Sequence, residues 1–451
     1  MDIPRIVLAG TQSGVGKTTI ATGIMAALRQ EGTSVQGYKV GPDYIDPTYH
    51  TLATGRPSRN LDRWLLSSHL HEIFARSAYG NWAVIEGVMG MFDGMNGTPG
   101  FGSTADIAKE LRAPIILVVD GGSMARSAAA LVYGYQNSEP GLEVSGVIFN
   151  RVKSKMQEKI LRAAISELEI PVIGCLPAEA RLQLPERHLG LIPVGEQKPR
   201  ENYIEDLAVT AREFLDLDLL KEIMQKAPAY SGDNNDKEIR GSGTIPFRLG
   251  YAWDEAFLFY YRDALEIMES RGFALIPFSP LHDPSLPQDV DGIMIGGGFP
   301  ELFLEQLSQN TSMLASIRRF AAEGKPVYAE CGGYMYLGES ITDFNGNSYP
   351  LAGIIPMYSE MTSRLQGIGY RRAELGADCF LGEEGTAVHG HEFHYSKVSF
   401  KSGHKRAYRL VKGDSESLEG YVEGNVFASY LHLNFAGHPE LVDYWHKSRR
   451  G

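Results

Sequence analysis

The stretch from Ile3 to Leu28 constrains the fold more than any other. Ile3 to Ala9 reads as a buried strand. Gly10-Thr11-Gln12-Ser13-Gly14-Val15-Gly16-Lys17-Thr18-Thr19 follows, and Ile20 to Leu28 reads as a helix. Strand, glycine loop and helix in this order are the context a phosphate-binding loop needs. Backbone N–H groups and the positive end of the helix dipole receive phosphate oxygens, Lys17 reaches the outer phosphates, and the Thr18 hydroxyl can ligate Mg²⁺. The full G-x-x-x-x-G-K-[ST] pattern is not met, because Thr11 stands where its first glycine belongs. Gly14, Gly16, Lys17 and Thr18 do fall in place. The candidate ATP-binding residues are Thr11, Gly14, Val15, Gly16, Lys17, Thr18 and Thr19.

The rest of the first half repeats the strand–helix alternation. Val35 to Val40, Trp82 to Ile85, Pro114 to Val119, Val144 to Phe149 and Ile170 to Gly174 read as strands. Thr104 to Leu111 and Met124 to Gln136 read as helices, and Ile204 to Met224 has the helical period that closes the domain. Alternating units imply an α/β domain with a doubly wound parallel sheet, whose ligand-binding loops leave the carboxyl ends of the strands. The second strand ends in Lys39-Val40-Gly41-Pro42-Asp43-Tyr44-Ile45-Asp46-Pro47. Asp43 and Asp46 there suit a Mg²⁺–nucleotide site, or a plain turn, in which Asp and Pro are common. Glu86 ends the third strand, where a second metal-linked carboxylate would sit, and Asp93 lies in the loop beyond. Arg56, Arg59 and Arg63 form either an anion site or a solvated face. The run Arg181 to Leu191 has no assignable role.

Lys226 to Thr244 has little to bury and reads as a linker. The chain is therefore expected to comprise a first domain over 1–225, a linker over 226–245 and a second domain over 246–451. That second part restarts with a strand from Arg248 to Ala252, a helix from Ala256 to Ser270, and strands at Ala274 to Phe278 and Gly292 to Ile295. Gly296-Gly297-Gly298 follows, a run whose backbone N–H groups can converge on one developing negative charge. Pro326 to Ala329 reads as the next strand. It leads through Glu330 to Cys331-Gly332-Gly333, a thiol on a sharp strand-to-helix turn. A helix N-terminus beside the sulfur favours the nucleophilic thiolate. The base must come from elsewhere in the chain. His432, at the end of the apolar strand Val426 to Leu433, is better placed than His389, His391 or His394. Those three alternate across a strand and lack the cysteine pair of a metal site. Cys175 and Cys379 lack a glycine elbow and read as buried thiols.

Composition narrows the setting. Three cysteines in 451 residues suggest no disulfide framework and fit a reducing compartment. No leader pattern opens the chain and no apolar run spans a bilayer, so a soluble cytoplasmic protein without membrane contact is expected. A net charge of −12 argues against nucleic-acid binding. The oligomeric state stays open, a homodimer included.

Glu-Cys331-Gly-Gly, the upstream triple glycine and Tyr-Leu-His432 resemble a class I glutamine amidotransferase domain. The first half resembles the dethiobiotin synthetase-like, ATP-dependent amide-forming domain. With Gly41-Pro-Asp-Tyr-Ile-Asp-Pro47 and Asn60-Leu-Asp-Arg-Trp64, the whole chain resembles the cobyrinic acid a,c-diamide synthase family. That resemblance implies amidation of the a and c carboxylates of cobyrinic acid, with ATP, Mg²⁺ and L-glutamine. Cys331 would be nucleophile, His432 base, and Gly297, Gly298 and Gly332 the oxyanion donors. It assigns Thr18, Asp43 and Glu86 to the metal, and Tyr44, Asp46 and Asp93 to the synthetase site. The same chemistry on hydrogenobyrinic acid or nickel sirohydrochlorin is the nearest alternative. A regulatory ATPase with a degenerate amidotransferase domain is more distant, because Gln12 stands where that class carries a lysine. One departure is notable: Asn434 occupies the position where full class I triads carry an acid. This implies a slow or closely gated glutaminase.

Overall fold

The computed structural model describes residues 2–94, 101–178, 186–187, 190–191, 193–196, 199–230, 246–412 and 415–448. The chain divides into two units. One comprises Met1–Arg63 and Ser68–Asn235, the other Trp64–Ser67 and Asp236–Gly451.

The first unit is built on strands β1 (Arg5–Gly10), β2 (Val35–Val40), β3 (Arg59–Leu61), β4 (Trp82–Glu86), β5 (Ile115–Asp120), β6 (Val144–Val152) and β7 (Val172–Pro177). They form one seven-stranded sheet in the order β3-β2-β4-β1-β5-β6-β7. Every pairing is parallel. β1 and β2 are buried along their whole length, as strands covered on both faces must be. On one face Ile20, Ile24 and Leu28 of the helix Lys17–Gln30 pack on Ile6, Leu8, Val84 and Val118. Each such aliphatic side chain contributes about 1.5–3 kcal/mol when fully buried. Chain order reverses direction at β1, so the glycine loop leaves the sheet at its topological switch point.

Two expected helices differ in extent. The run from Ile204 to Met224 is two helices, Tyr203–Phe214 and Leu217–Gln225. Leu215 turns extended between them, and the Asp216 carboxylate accepts from the Leu219 N–H to start the second. Met124 to Gln136 becomes Ser127–Asn137. Pro228 and Tyr230, placed in the expected linker, pack onto this unit: the buried Arg5 guanidinium donates to the Pro228 carbonyl at 2.7 Å and lies over the Tyr230 ring. The rest of that linker lies outside the described residues. So does most of Arg181 to Leu191, apart from a short antiparallel pair, β8 (Glu186–Arg187) and β9 (Gly190–Leu191).

The second unit centres on β10 (Phe247–Ala252), β11 (Phe273–Phe278), β12 (Gly292–Ile295) and β13 (Val327–Glu330). With β22 (Tyr421–Glu423) and β23 (Val426–Ser429) they form a sheet in the order β11-β10-β12-β13-β23-β22, parallel except for its last pair. Ile295 pairs with Ala329, and Glu330 with Ser429. This register brings the triple glycine, Cys331 and the segment leading to His432 out at the carboxyl ends of three neighbouring parallel strands. The helix expected from Ala256 starts only at Arg262, because Asp254 accepts from the Ala256 and Phe257 N–H groups and Phe259 bridges to Gly297.

Two further sheets went unread in the sequence. β14 (Ser340–Thr342), β15 (Ser348–Pro350), β16 (Met357–Met361) and β19 (Ser396–Phe400) make one. β17 (Gly367–Leu375), β18 (Ala387–His394), β20 (Tyr408–Lys412), β21 (Ser415–Glu419) and β24 (His432–Leu433) make the other. The expected strand from Val426 to Leu433 is therefore split. It leaves β13 after Ser429 and joins β18 at His432, which pairs with His391. Among the described residues no helix is long and apolar enough to cross a membrane.

Candidate active sites

In the first unit the glycine loop is tied down through its carbonyls. The Tyr135 hydroxyl donates to Thr11 O at 2.7 Å, Asn150 to Val15 O at 2.9 Å and Arg151 to Gly14 O at 2.6 Å. Gly16 caps the helix at φ 98°, a conformation that favours glycine. Lys17, almost fully buried, donates to Met89 O at 2.5 Å. Burial and neighbouring Lys39 lower its pKa to about 8, against the pull of Glu86, Asp46 and Asp93. The Thr19 hydroxyl bonds Tyr203.

Beside the loop lies a buried charge cluster. The Thr18 hydroxyl donates to Glu86 Oε1 at 2.7 Å and reaches Asp46 Oδ2 at 3.3 Å. Lys39 Nζ donates to the same two oxygens, at 2.9 Å and 2.5 Å, with Asp43 Oδ2 at 3.9 Å. His50 Nε2 meets Glu86 Oε2 at 2.7 Å. Burial alone would drive the proton off Lys39, but Asp46, Glu86 and Asp43 outweigh it and hold the ammonium above its ordinary range. Burial and Asp43 push the Asp46 carboxyl up, against Lys39. At Glu86, Lys39 and His50 overcome burial and hold the carboxylate below its usual range.

The expected metal and synthetase acids do not play equal parts here. Asp46 and Glu86 are in the cluster. Asp43 commits Oδ1 to the Ile45 and Asp46 N–H groups, at 2.8 and 3.0 Å, as a turn carboxylate. Tyr44 is half-buried in the same turn, and Asp93 is exposed, accepting from the Gly90 N–H at 2.8 Å. Of the three arginines, Arg63 is engaged by Asp106 at 2.6 Å. Among the described residues no three His, Cys, Asp or Glu side chains form a metal cage. A Mg²⁺ shared with nucleotide phosphates takes only one or two carboxylates and a hydroxyl from protein. The hard oxygen donors of Thr18, Glu86 and Asp46 fit that role.

In the second unit Cys331 stands at φ 47°, ψ −101°, a strained turn that costs about 1–3 kcal/mol. Its N–H donates to Ser429 O at 2.8 Å, and the helix Gly332–Leu337 begins directly after it. The buried ring of His432 hydrogen-bonds the thiol. Burial would lower its pKa, yet Cys331 and Glu330 together raise it to about 10. Gly297 lies against this ring, and a Cβ there would sit 2.5 Å from His432 Cε1. Gly298 N lies 3.2 Å from where a Gly332 Cβ would be, so the glycine run and the new helix meet beside the thiol. The other histidines go separate ways: His389 stacks on Trp64, His391 on His432 and His394 on Tyr430. Burial pushes the Cys175 thiol up to about 11 and raises that of Cys379, which leaves both poor nucleophiles at neutral pH.

Residues 6–192 match the model of a CobQ/CobB/MinD/ParA nucleotide binding domain, and residues 248–440 that of a CobB/CobQ-like glutamine amidotransferase domain. A cobyrinate a,c-diamide synthase of Methanothermobacter thermautotrophicus is 43% identical over 97% of this chain and 98% of its own. Another, of Dehalococcoides mccartyi, is 44% identical over 98% and 97%. A third, of Listeria monocytogenes, is 45% identical over 96% of each chain. The chain belongs to the cobyrinate a,c-diamide synthase family. It is thus an ATP-dependent, glutamine-using amide ligase by family, with a nucleotide-binding unit and an amidotransferase unit in one polypeptide.

Within this member of the cobyrinate a,c-diamide synthase family, three residues escaped the sequence reading. Lys39 is a buried lysine at a strand end, and a buried lysine requires partners. His50 lies four residues after Asp46 on the helix Asp46–Thr54, a spacing that puts both on one face. Glu330, directly before the nucleophile, lies with its Oε2 3.5 Å from His432 Nδ1. Asn434, where an acid was looked for, uses its Oδ1 to accept from Ala436 N at 3.1 Å, and its Nδ2 is buried with no hydrogen-bond partner among the described residues.

Proposed function

We propose that the chain amidates the a and c carboxylates of cobyrinic acid, drawing ammonia from glutamine. The thiolate of Cys331 attacks the glutamine side-chain carbon, forming the sulfur–carbon bond. His432 protonates the departing nitrogen, which leaves as ammonia, and then activates the water that hydrolyses the thioester. The N–H groups of Gly297, Gly298 and Gly332 receive the oxyanion. At the nucleotide site a substrate carboxylate attacks the γ-phosphorus of ATP and expels ADP. Ammonia displaces phosphate from the resulting acyl phosphate and gives the amide. Lys17 and the loop N–H groups hold the phosphates. Thr18, Glu86 and Asp46, with Asp43 alongside, would hold Mg²⁺, which supplies charge neutralisation for phosphoryl transfer. Tyr44 and Asp93 would serve the carboxylate substrate.

The observation that carries this reading is the pairing of His432 with a strained thiol at the carboxyl end of β13, in a chain that also bears a phosphate loop with a Thr18–Glu86 contact. The test uses purified protein with ATP, Mg²⁺ and cobyrinic acid, hydrogenobyrinic acid or nickel sirohydrochlorin. Cys331→Ala is expected to abolish glutamine-dependent amidation while ammonium salts still support it. Lys17→Ala is expected to abolish both. Loss of both activities in Cys331→Ala refutes the division of labour, and turnover on another tetrapyrrole alone refutes the substrate.

A further inference from the structure

A nucleophilic cysteine and histidine usually need a third group to hold the imidazole in one orientation and to stabilise its charged form. The position two residues after the histidine holds Asn434, which carries no charge and is engaged in capping Ala436. The His432 ring nevertheless meets a carboxylate, and it comes from the residue immediately before the nucleophile. Glu330 Oε2 lies 3.5 Å from His432 Nδ1, with both side chains almost fully buried. The other oxygen, Oε1, accepts from the Tyr328 hydroxyl at 2.6 Å and from the Leu433 N–H at 3.0 Å. These two donors anchor the carboxylate from both sides: one on its own strand, the other on the residue after the histidine. With Nδ1 directed at Glu330, Nε2 is left for the thiol. On the remaining side the ring stacks on His391, which burial and the His432 charge hold well below the usual histidine range, and therefore neutral.

We propose that Glu330 is the positioning acid of the amidotransferase site, replacing the carboxylate that Asn434 does not supply. Alternation along β13 explains how this works. Ala329 belongs to the core of the unit, so Glu330, the next residue, faces the other side of the sheet. There β13 pairs with β23, and the chain leaving β23 returns to place His432 within reach. The strained turn at Cys331 then brings the thiol back toward the same ring. In the reaction Glu330 positions the ring and exchanges no proton with the substrate. The proton that His432 carries goes from Nε2 to the departing ammonia and is regained from the hydrolytic water, while Nδ1 keeps its proton toward Glu330. The expected slow glutaminase then does not follow from Asn434, because the triad is completed from a different position in the chain.

The proposal rests on the glutaminase reading of this site, and the experiment separates the two. Ammonia release from glutamine is followed against pH for the wild-type protein, Glu330→Gln and Asn434→Asp, each checked by thermal unfolding. Glu330→Gln keeps an oxygen for Tyr328 and Leu433 but removes the charge. It is expected to lower kcat by roughly 10²-fold or more, with little change in KM, and to move the alkaline limb of the profile to lower pH. Asn434→Asp is expected to give no gain, because the ring already has its carboxylate. A Glu330→Gln enzyme with the wild-type rate and limb overturns the proposal. So does a severalfold faster Asn434→Asp enzyme, a result that stands even if Glu330→Gln does not fold. A wild-type protein that releases no ammonia under any condition overturns instead the reading on which the proposal rests.

Discussion

Gly297→Ala isolates the geometry of the thiol site in one methyl group. A Cβ built on Gly297 lies 2.5 Å from His432 Cε1, whereas carbon atoms in contact settle near 3.5–4.0 Å. The ring must therefore retreat by about 1 Å. It has little room, with His391 stacked at 4.8 Å on one side and Glu330 at Nδ1. A misplacement of about 1 Å in a catalytic group costs on the order of 10²-fold in rate, equivalent to about 2.7 kcal/mol. The clash is with the edge of a side chain rather than with backbone, so the fold should survive. Gly298→Ala supplies the contrast. Its φ is +155°, and the added Cβ would meet the Ala256 carbonyl oxygen at 2.0 Å, so the loop itself must break. Steady-state ammonia release and thermal unfolding of both variants decide the matter. Gly297→Ala is expected to lose about two decades of kcat with a near wild-type melting temperature, and Gly298→Ala to lose stability as well. A Gly297→Ala enzyme within threefold of wild type would refute the assignment of His432 as a ring held against Gly297 in the active state.

Two further outcomes follow from buried charge. The Glu419 carboxyl, which accepts from the Ser429 hydroxyl and from Tyr430 N, is pushed up by burial from an ordinary 4.5 to about 7. It thus favours the folded state below pH 4.5, and this contribution is lost as pH rises through about 7; its upper bound is about 3 kcal/mol, because the residue keeps some exposure. Denaturant midpoints should show Glu419→Gln flattening that slope and exceeding wild type in stability at pH 8, and an unchanged slope would contradict this. Lys39→Met leaves Asp46 and Glu86 without their shared cation, which should cost roughly 3–5 kcal/mol. Added Mg²⁺ should restore part of the lost melting temperature, and its failure to do so would remove these carboxylates as metal ligands.

The parts of this molecule legible from sequence are those whose signal is local. A strand, a glycine loop and a helix announce the phosphate loop, and a cysteine between a strand and two glycines announces the elbow. What stayed hidden depends on register between distant segments. Val426 to Leu433 reads as one apolar strand, but the Ser429 hydroxyl accepts from the Leu431 N–H at 2.8 Å, which turns the chain out of one sheet and into another. Glu330 is invisible for the same reason. Its partner is set by the pairing of β13 with β23, while the motif directs attention to Asn434. Lys39 and His50 were readable in principle, one as a buried lysine and one by helical spacing from Asp46. Their role emerges only once Glu86 arrives from β4, paired with β2 at Lys39.

The two sites handle buried charge in opposite ways. At the thiol, the positive ring of His432 is flanked by the groups that stabilise it, Cys331 and Glu330, and nothing external is needed to balance it. At the phosphate loop the balance is incomplete on both sides. Asp43, Asp46 and Glu86 surround the single ammonium of Lys39, more acids than one cation balances, and the Asp46 carboxyl is pushed up. Next to Thr18 in the chain, Lys17 and the helix N-terminus offer positive character, with Lys17 held down by burial and by Lys39. A free nucleotide would relieve Lys17 but would bring its phosphates toward three carboxylates. A divalent cation alone would neutralise the carboxylates but would disfavour the charged form of Lys17 further. Only the nucleotide–metal complex satisfies both halves together, so nucleotide and metal should bind with strong mutual dependence at this site.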